Sequence, residues 1–181
     1  MTILYSFLFM LILIGAIGIL YVYQYNQLQH SKTKIDHAEC LIDESLREKY
    51  DLLIKADKLI KSELNNDKTF FKGLDKIKNE NISNFDLDRR LTDYINLLDQ
   101  IKLDYPELVN NKGFKDILSE NKKNDEKLQA AKSYYNKYTS ELNDLIRTFP
   151  SNIVARMHGI VIKPFFDGKN MEDEIIDDFK L

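Results

Sequence analysis

Residues 3–23, ILYSFLFMLILIGAIGILYVY, contain no Asp, Glu, Lys, Arg or His, and the first Lys or Arg anywhere in the chain is Lys32. This stretch limits what the chain can become more than any other. A helix rising about 1.5 Å per residue needs about 20 apolar residues to cross a hydrocarbon layer roughly 30 Å thick. Tyr21, Tyr23 and Tyr25 stand at its far end, where amphipathic rings favour the membrane–water boundary. A cleaved signal peptide would have a basic start and a shorter apolar core. A buried helix core rarely runs so long without a charge. The sequence therefore predicts a transmembrane anchor over residues 1–24, in contact with lipid through residues 3–23.

Orientation follows from the flanks. Lys32, Lys34, Arg47 and Lys49 all lie after the span and no Lys or Arg precedes it. The positive-inside rule then puts the large domain in the cytoplasm and the N-terminus outside.

Roughly 155 residues follow the anchor, enough for one domain with its own core. They are drawn from a composition that is 44% hydrophobic and 30% charged, with only 6 Gly and 3 Pro. Long helices suit that mixture, because the turns and bulges of a sheet consume Gly and Pro. The net charge of −3 and the absence of a Lys/Arg cluster exclude a nucleic-acid interface. Cys40 is the only cysteine, so no disulfide can form within the chain.

From Tyr25 to Leu64 apolar or small residues recur at Leu28, Ser31, Ile35, Ala38, Ile42, Leu46, Leu53, Ala56, Ile60 and Leu64, a 3-4 spacing with extra 4-steps at Ile42 to Leu46 and Ile60 to Leu64 and one step of seven between Leu46 and Leu53. The pattern predicts that the membrane helix continues unbroken into a long arm. Asn65-Asn66-Asp67 reads as a turn, followed by a short helix with Phe70, Leu74 and Ile77 on one face, weakened by Gly73. Ser83, with Asp86 three residues on, caps a third helix whose face is Leu87, Leu91, Tyr94, Leu98, Ile101 and Tyr105, closed by Pro106. A fourth helix starts near Gly113. Its seam is Phe114, Ile117, Asn121, Asn124, Leu128, Ala131, Tyr135, Tyr138, Leu142, Leu145 and Phe149, in strict 3-4 alternation. Asn121 and Asn124 are read as fixing register, and Tyr135 and Tyr138 as packing on small residues such as Ser31 or Ala38.

Four helices of alternating direction, with matched first and last arms, predict an all-α fold. A transmembrane helix continues into an antiparallel up-and-down four-helix bundle with long coiled-coil-like arms, over residues 25–152. Parity returns the fourth helix to the bilayer, so residues 153–166 form a membrane-proximal apolar segment. Val161, Ile162, Phe165 and Phe166 are its candidate membrane contacts, with folding back onto the bundle base as the alternative. Residues 167–181, with six acidic residues and two Lys, read as a disordered acidic tail.

These residues resemble the bacterial LemA family. Tyr25-Asn26 opens its post-membrane motif. Ala38, Asp43, Leu46 and Asp51 fall in its long helix, and Tyr105-Pro106, Tyr135-Asn136 and above all Phe149-Pro150-Ser151-Asn152 match its C-terminal half. Glu39 stands where the family usually has Trp, and Ile54-Lys55 where it has Pro-Asn, so a family kink should be missing from the first helix. The resemblance implies a single-pass protein of the bacterial inner membrane with an antiparallel helical bundle. It implies no catalytic residue and no cofactor, and an interaction role with unidentified protein partners, membrane proteins among them. A homo-oligomer is compatible with it.

His37-x-x-Cys40, one helical turn apart with His30 seven residues earlier, is the one constellation with metal-ligand chemistry. No further converging ligand is evident, and the Glu-x-x-His pattern of di-iron bundles is absent. No phosphate-loop, esterase or zincin motif occurs. The expectation is a membrane-anchored scaffold or adaptor without catalytic activity. The alternative is a metal-dependent sensor or enzyme using His37 and Cys40.

Overall fold

The structure is a computed structural model and describes residues 1–64, 70–77, 80 and 82–167. The expected turn at Asn65-Asn66-Asp67 and nearly all of the acidic tail lie outside the described residues. The chain is all-helical, with no strand among the described residues. Helix α1 spans Thr2–Glu63, α2 Leu74–Ile77, α3 Asn84–Asp104, a 3-10 turn Pro106–Asn110, α4 Lys112–Arg147 and α5 Ser151–Met157.

Helix α1 runs 62 residues without interruption, as the absence of Pro and Gly from Leu28 onward favours. Its N-terminal end is long and apolar enough to cross a membrane, and none of that stretch is buried within the protein. Burial begins at Leu28 and follows the 3-4 seam through Ser31, Ile35, Ala38, Ile42, Leu46, Leu53, Ala56 and Ile60.

The described chain falls into two compact units. The terminal unit takes Met1–His37 and the described residues from Tyr134 onward; the central unit is Ala38–Ser133.

In the central unit, Leu91, Leu98 and Ile101 of α3 are buried, as are Phe114, Ile117, Leu128 and Ala131 of α4. Ser83 caps α3 as the sequence predicts: its hydroxyl accepts from the Asp86 amide at 3.1 Å and donates to the Asp86 carboxylate at 2.7 Å. Asn111 caps α4 by accepting the Phe114 amide at 3.1 Å. Gly113 allows α4 to start close to α1, where a Cβ would stand 2.9 Å from Leu59 Cδ1. Asn124 of the seam donates its amide to the Ser45 carbonyl at 2.8 Å, tying α4 to α1 at one register.

Two readings change. The second helix is a single turn, Leu74–Ile77, because Gly73 sits at φ 87° and precedes it instead of weakening it from inside. Phe71, off the face assigned to that helix, is fully buried. Charged side chains also enter the interior: Asp57 is buried, accepts the Phe70 amide at 3.1 Å and pairs with Lys61. Lys49, also buried, lies 2.8 Å from Asp125 and 3.9 Å from Asp88, and Asp88 is bound in turn by Lys132.

In the terminal unit, Leu28, Ser31 and Ile35 of α1 and Tyr135, Thr139, Leu142 and Asn143 of α4 are buried. The rings of the two helices meet edge-on, His30 with Tyr138 and His37 with Tyr134, each pair 6.5 Å between centroids. Tyr134 and Tyr138 also face one another, their ring centroids 4.6 Å apart. The seam also stops short of its extrapolated end: Phe149 lies beyond α4 and is 74% exposed. Pro150 disfavours a helical conformation at the residue before it, so the 3-4 alternation cannot continue to Phe149 as helix.

Candidate functional site

The densest set of specific side-chain bonds in the terminal unit surrounds the chain after α4. The last carbonyls of a helix need partners, and Ser151 supplies them. Its hydroxyl lies 2.6 Å from the Leu145 oxygen and 2.9 Å from the Thr148 oxygen, and the Asn152 amide bonds Thr148 at 2.8 Å. Phe149-Pro150-Ser151-Asn152 is thus a reversal that turns α4 into α5, with Ser151, Val154 and Ala155 buried.

Helix α5 closes at Gly159, φ 62°, with the Ile160 amide on the Ala155 carbonyl at 2.9 Å and the Gly159 amide on Arg156 at 3.2 Å. This paired closure calls for a left-handed residue, which glycine adopts without strain. At the same end, His158 Nε2 and the Tyr21 hydroxyl are joined at 2.6 Å, and the Tyr25 ring lies 4.7 Å from the imidazole. The end of α5 is therefore fixed to the last turns of the apolar stretch of α1.

Residues 160–166 then run along α4, held by its polar side chains. Asn143 accepts the Lys163 amide at 2.9 Å and donates to the Lys163 carbonyl at 2.8 Å. Asn136 accepts the Phe166 amide at 2.8 Å, and the Tyr135 hydroxyl donates to the Pro164 carbonyl at 3.2 Å. The Phe166 ring stands edge-on to Tyr135 at 6.2 Å, and Lys163 lies 3.7 Å from Asp36 of α1. An amide that both donates and accepts can pair a strap's backbone as a neighbouring strand would. Asn143 was missing from the sequence reading. The available signal was its spacing of seven from Asn136, a second polar stripe beside the apolar seam.

The four candidate membrane contacts divide. Val161 and Ile162 are exposed, whereas Phe165 and Phe166 are half-buried. The remaining family-signature residues are scattered through the fold. Asn26 is exposed, and Ala38 and Leu46 are buried. Asp43 pairs with Arg47 at 2.9 Å. Tyr105 ends α3, its amide on Ile101 and its ring edge-on to Phe70, and Pro106 opens the 3-10 turn. Asp43, Leu46 and Asp51 share an open cleft of about 480 Å³ in the central unit with Arg47 and Tyr50. Burial, then Asp75 and Asp51, raises the Tyr50 pKa above its ordinary value. Burial raises that of Tyr94 too, against the lowering effect of Arg90.

His37 and Cys40 are both exposed. Among the described residues no group of three or more His, Cys, Asp and Glu stands where it could hold a metal ion. Ser151, Asn143 and Asn136 bond the backbone around α5 and the strap, so what these side chains do chemically is to hold a short helix and a strap in place.

A family model described as the LemA family matches residues 38–177, most of the chain. No curated protein and no solved structure matches it.

Proposed function

The chain belongs to the LemA family, and from that premise we propose that it is a single-pass, membrane-anchored helical scaffold or adaptor with no catalytic activity of its own. It crosses the bacterial inner membrane through residues 3–23. Its helices form an antiparallel up-and-down bundle on the cytoplasmic side, and it acts by holding protein partners, membrane proteins among them, at the bilayer surface. One observation carries this reading: a single continuous helix is apolar and unburied over its first part, then buries a regular seam from Leu28 onward. Such a helix joins a lipid-facing end to a packed end without a hinge.

Crosslinking in native membranes followed by purification of the full chain tests it. Reproducible membrane-protein partners are expected. Turnover of a substrate by the purified chain, or one metal ion per chain lost on His37→Ala, would replace the scaffold with the sensor or enzyme. Cys40, single and exposed, reports the side of the membrane. An impermeant maleimide should label it only after the membrane is opened.

A further inference from the structure

Large apolar residues that are more than half exposed are concentrated, outside the apolar stretch of α1, at one place. Phe149 is 74% exposed, Ile153 52%, Met157 68% and Val161 73%. Among the described residues after the apolar stretch, only Leu103 elsewhere exceeds half. Phe149, Ile153 and Met157 recur at intervals of four, and the first sits just before α5, so they continue along one side of it. A contiguous apolar face of this kind marks an interaction surface.

Its position identifies the partner. His158 is bonded to Tyr21 and packed on Tyr25, where aromatic rings mark the boundary between hydrocarbon and headgroups. Met157 and Val161 are within three residues of His158, at most about 11 Å of chain. Val161, one of these four, also lines an open cleft of about 740 Å³ with Arg147, Arg156, Ile160 and Ile162. Guanidinium groups pair with phosphate in a two-pronged geometry, and apolar walls suit the adjoining acyl chains.

We propose that α5 and the turn after it form a lipid-facing foot: Phe149, Ile153, Met157 and Val161 enter the membrane interface, and Arg156 takes the phosphate of an anionic phospholipid. This rests on the membrane-anchor reading and adds a second, peripheral attachment to it. The foot keeps Val161 from the sequence expectation, while Phe166 is engaged on α4 through its amide and ring.

The chain contains no Trp, so one introduced Trp is a clean depth reporter. Met157→Trp and Ile153→Trp, with Leu103→Trp as the exposed reference, would be placed in the full chain in single-copy nanodiscs of phosphatidylcholine and phosphatidylglycerol. Lipids brominated near the headgroup should quench positions 157 and 153 several-fold more than position 103, with blue-shifted emission. Replacing phosphatidylglycerol by phosphatidylcholine, or Arg156→Gln, should reduce that quenching. If the chain enters nanodiscs but positions 153 and 157 are quenched no more than 103, the foot is overturned while the anchor stands. Quenching absent in single-copy discs, with copies crosslinking through Met157→Cys in a Cys40→Ser background, would make the face a contact between chains and equally overturn it. Failure to enter nanodiscs at all would remove the anchor reading itself. Quenching indifferent to both lipid charge and Arg156 would overturn the phosphate assignment.

Discussion

In the central unit the buried polar side chains include charges, each paired with an opposite charge; in the terminal unit they are neutral groups, and most of their bonds go to backbone. Lys49 and Asp57 are the buried charged residues among those described, and both belong to the central unit. The terminal unit buries Ser31, Thr139, Asn143 and Ser151 instead. The difference follows from what each must hold. The central unit fixes helix to helix, where an ion pair enforces one register but costs desolvation. The terminal unit fixes a strap and a seven-residue helix too short to be stable alone, and unpaired backbone is what such segments need satisfied.

That contrast can be broken at its strongest point first. Asp88→Ala removes the carboxylate that Lys132 binds and that lies 3.9 Å from the buried Lys49, leaving Lys49 with Asp125, and should cost about 3 kcal/mol, the lower end for breaking a buried pair. Denaturant unfolding of the full chain in detergent, followed by circular dichroism, measures it. The loss should change little with salt, since buried pairs are weakly screened. A loss that fades at high salt would put these charges in solvent and dissolve the contrast.

Asn143→Ala should cost less, about 1–3 kcal/mol, by leaving the Lys163 amide and carbonyl without their partner. The effect should be local: limited proteolysis should cut within residues 160–167 sooner, with the central unit's helicity retained. Equal loosening of both units would mean that Asn143 is a core residue and not a clasp.

The smallest effect is a pH limb. Burial raises the Tyr94 pKa above its ordinary value of 10.0, and its hydroxyl donates to the Lys72 carbonyl at 2.8 Å. A raised pKa means the folded state prefers the protonated phenol. The contribution is therefore complete below pH 10 and is lost as pH rises through the folded value. Thermal melts between pH 9 and 11 should fall less steeply for Tyr94→Phe than for the unaltered chain; parallel curves would contradict this.

What could be read from the sequence was what depends on near neighbours. The Ser83 cap needs only Asp86, three residues on, and the seam from Leu28 to Ile60 needs only its own spacing. The misreadings came where distant chain or backbone geometry decides. The 3-4 rhythm runs to Phe149 on paper, but Pro150 ends the helix first. Lys49 looks like any helix-surface lysine until α3 and α4 bring Asp88 and Asp125 to it. Asn143 clasps Lys163, twenty residues later, and its spacing of seven from Asn136 marks a polar stripe without saying what that stripe binds.

Alkaline carbonate extraction of native membranes tests the anchor most directly. The full chain should stay entirely in the pellet, and a chain with Leu11→Lys and Ile14→Lys, which puts two charges at the centre of the apolar stretch, should shift to the supernatant. An unaltered chain released by carbonate would contradict the account, because a helix crossing the bilayer is not stripped by breaking surface contacts.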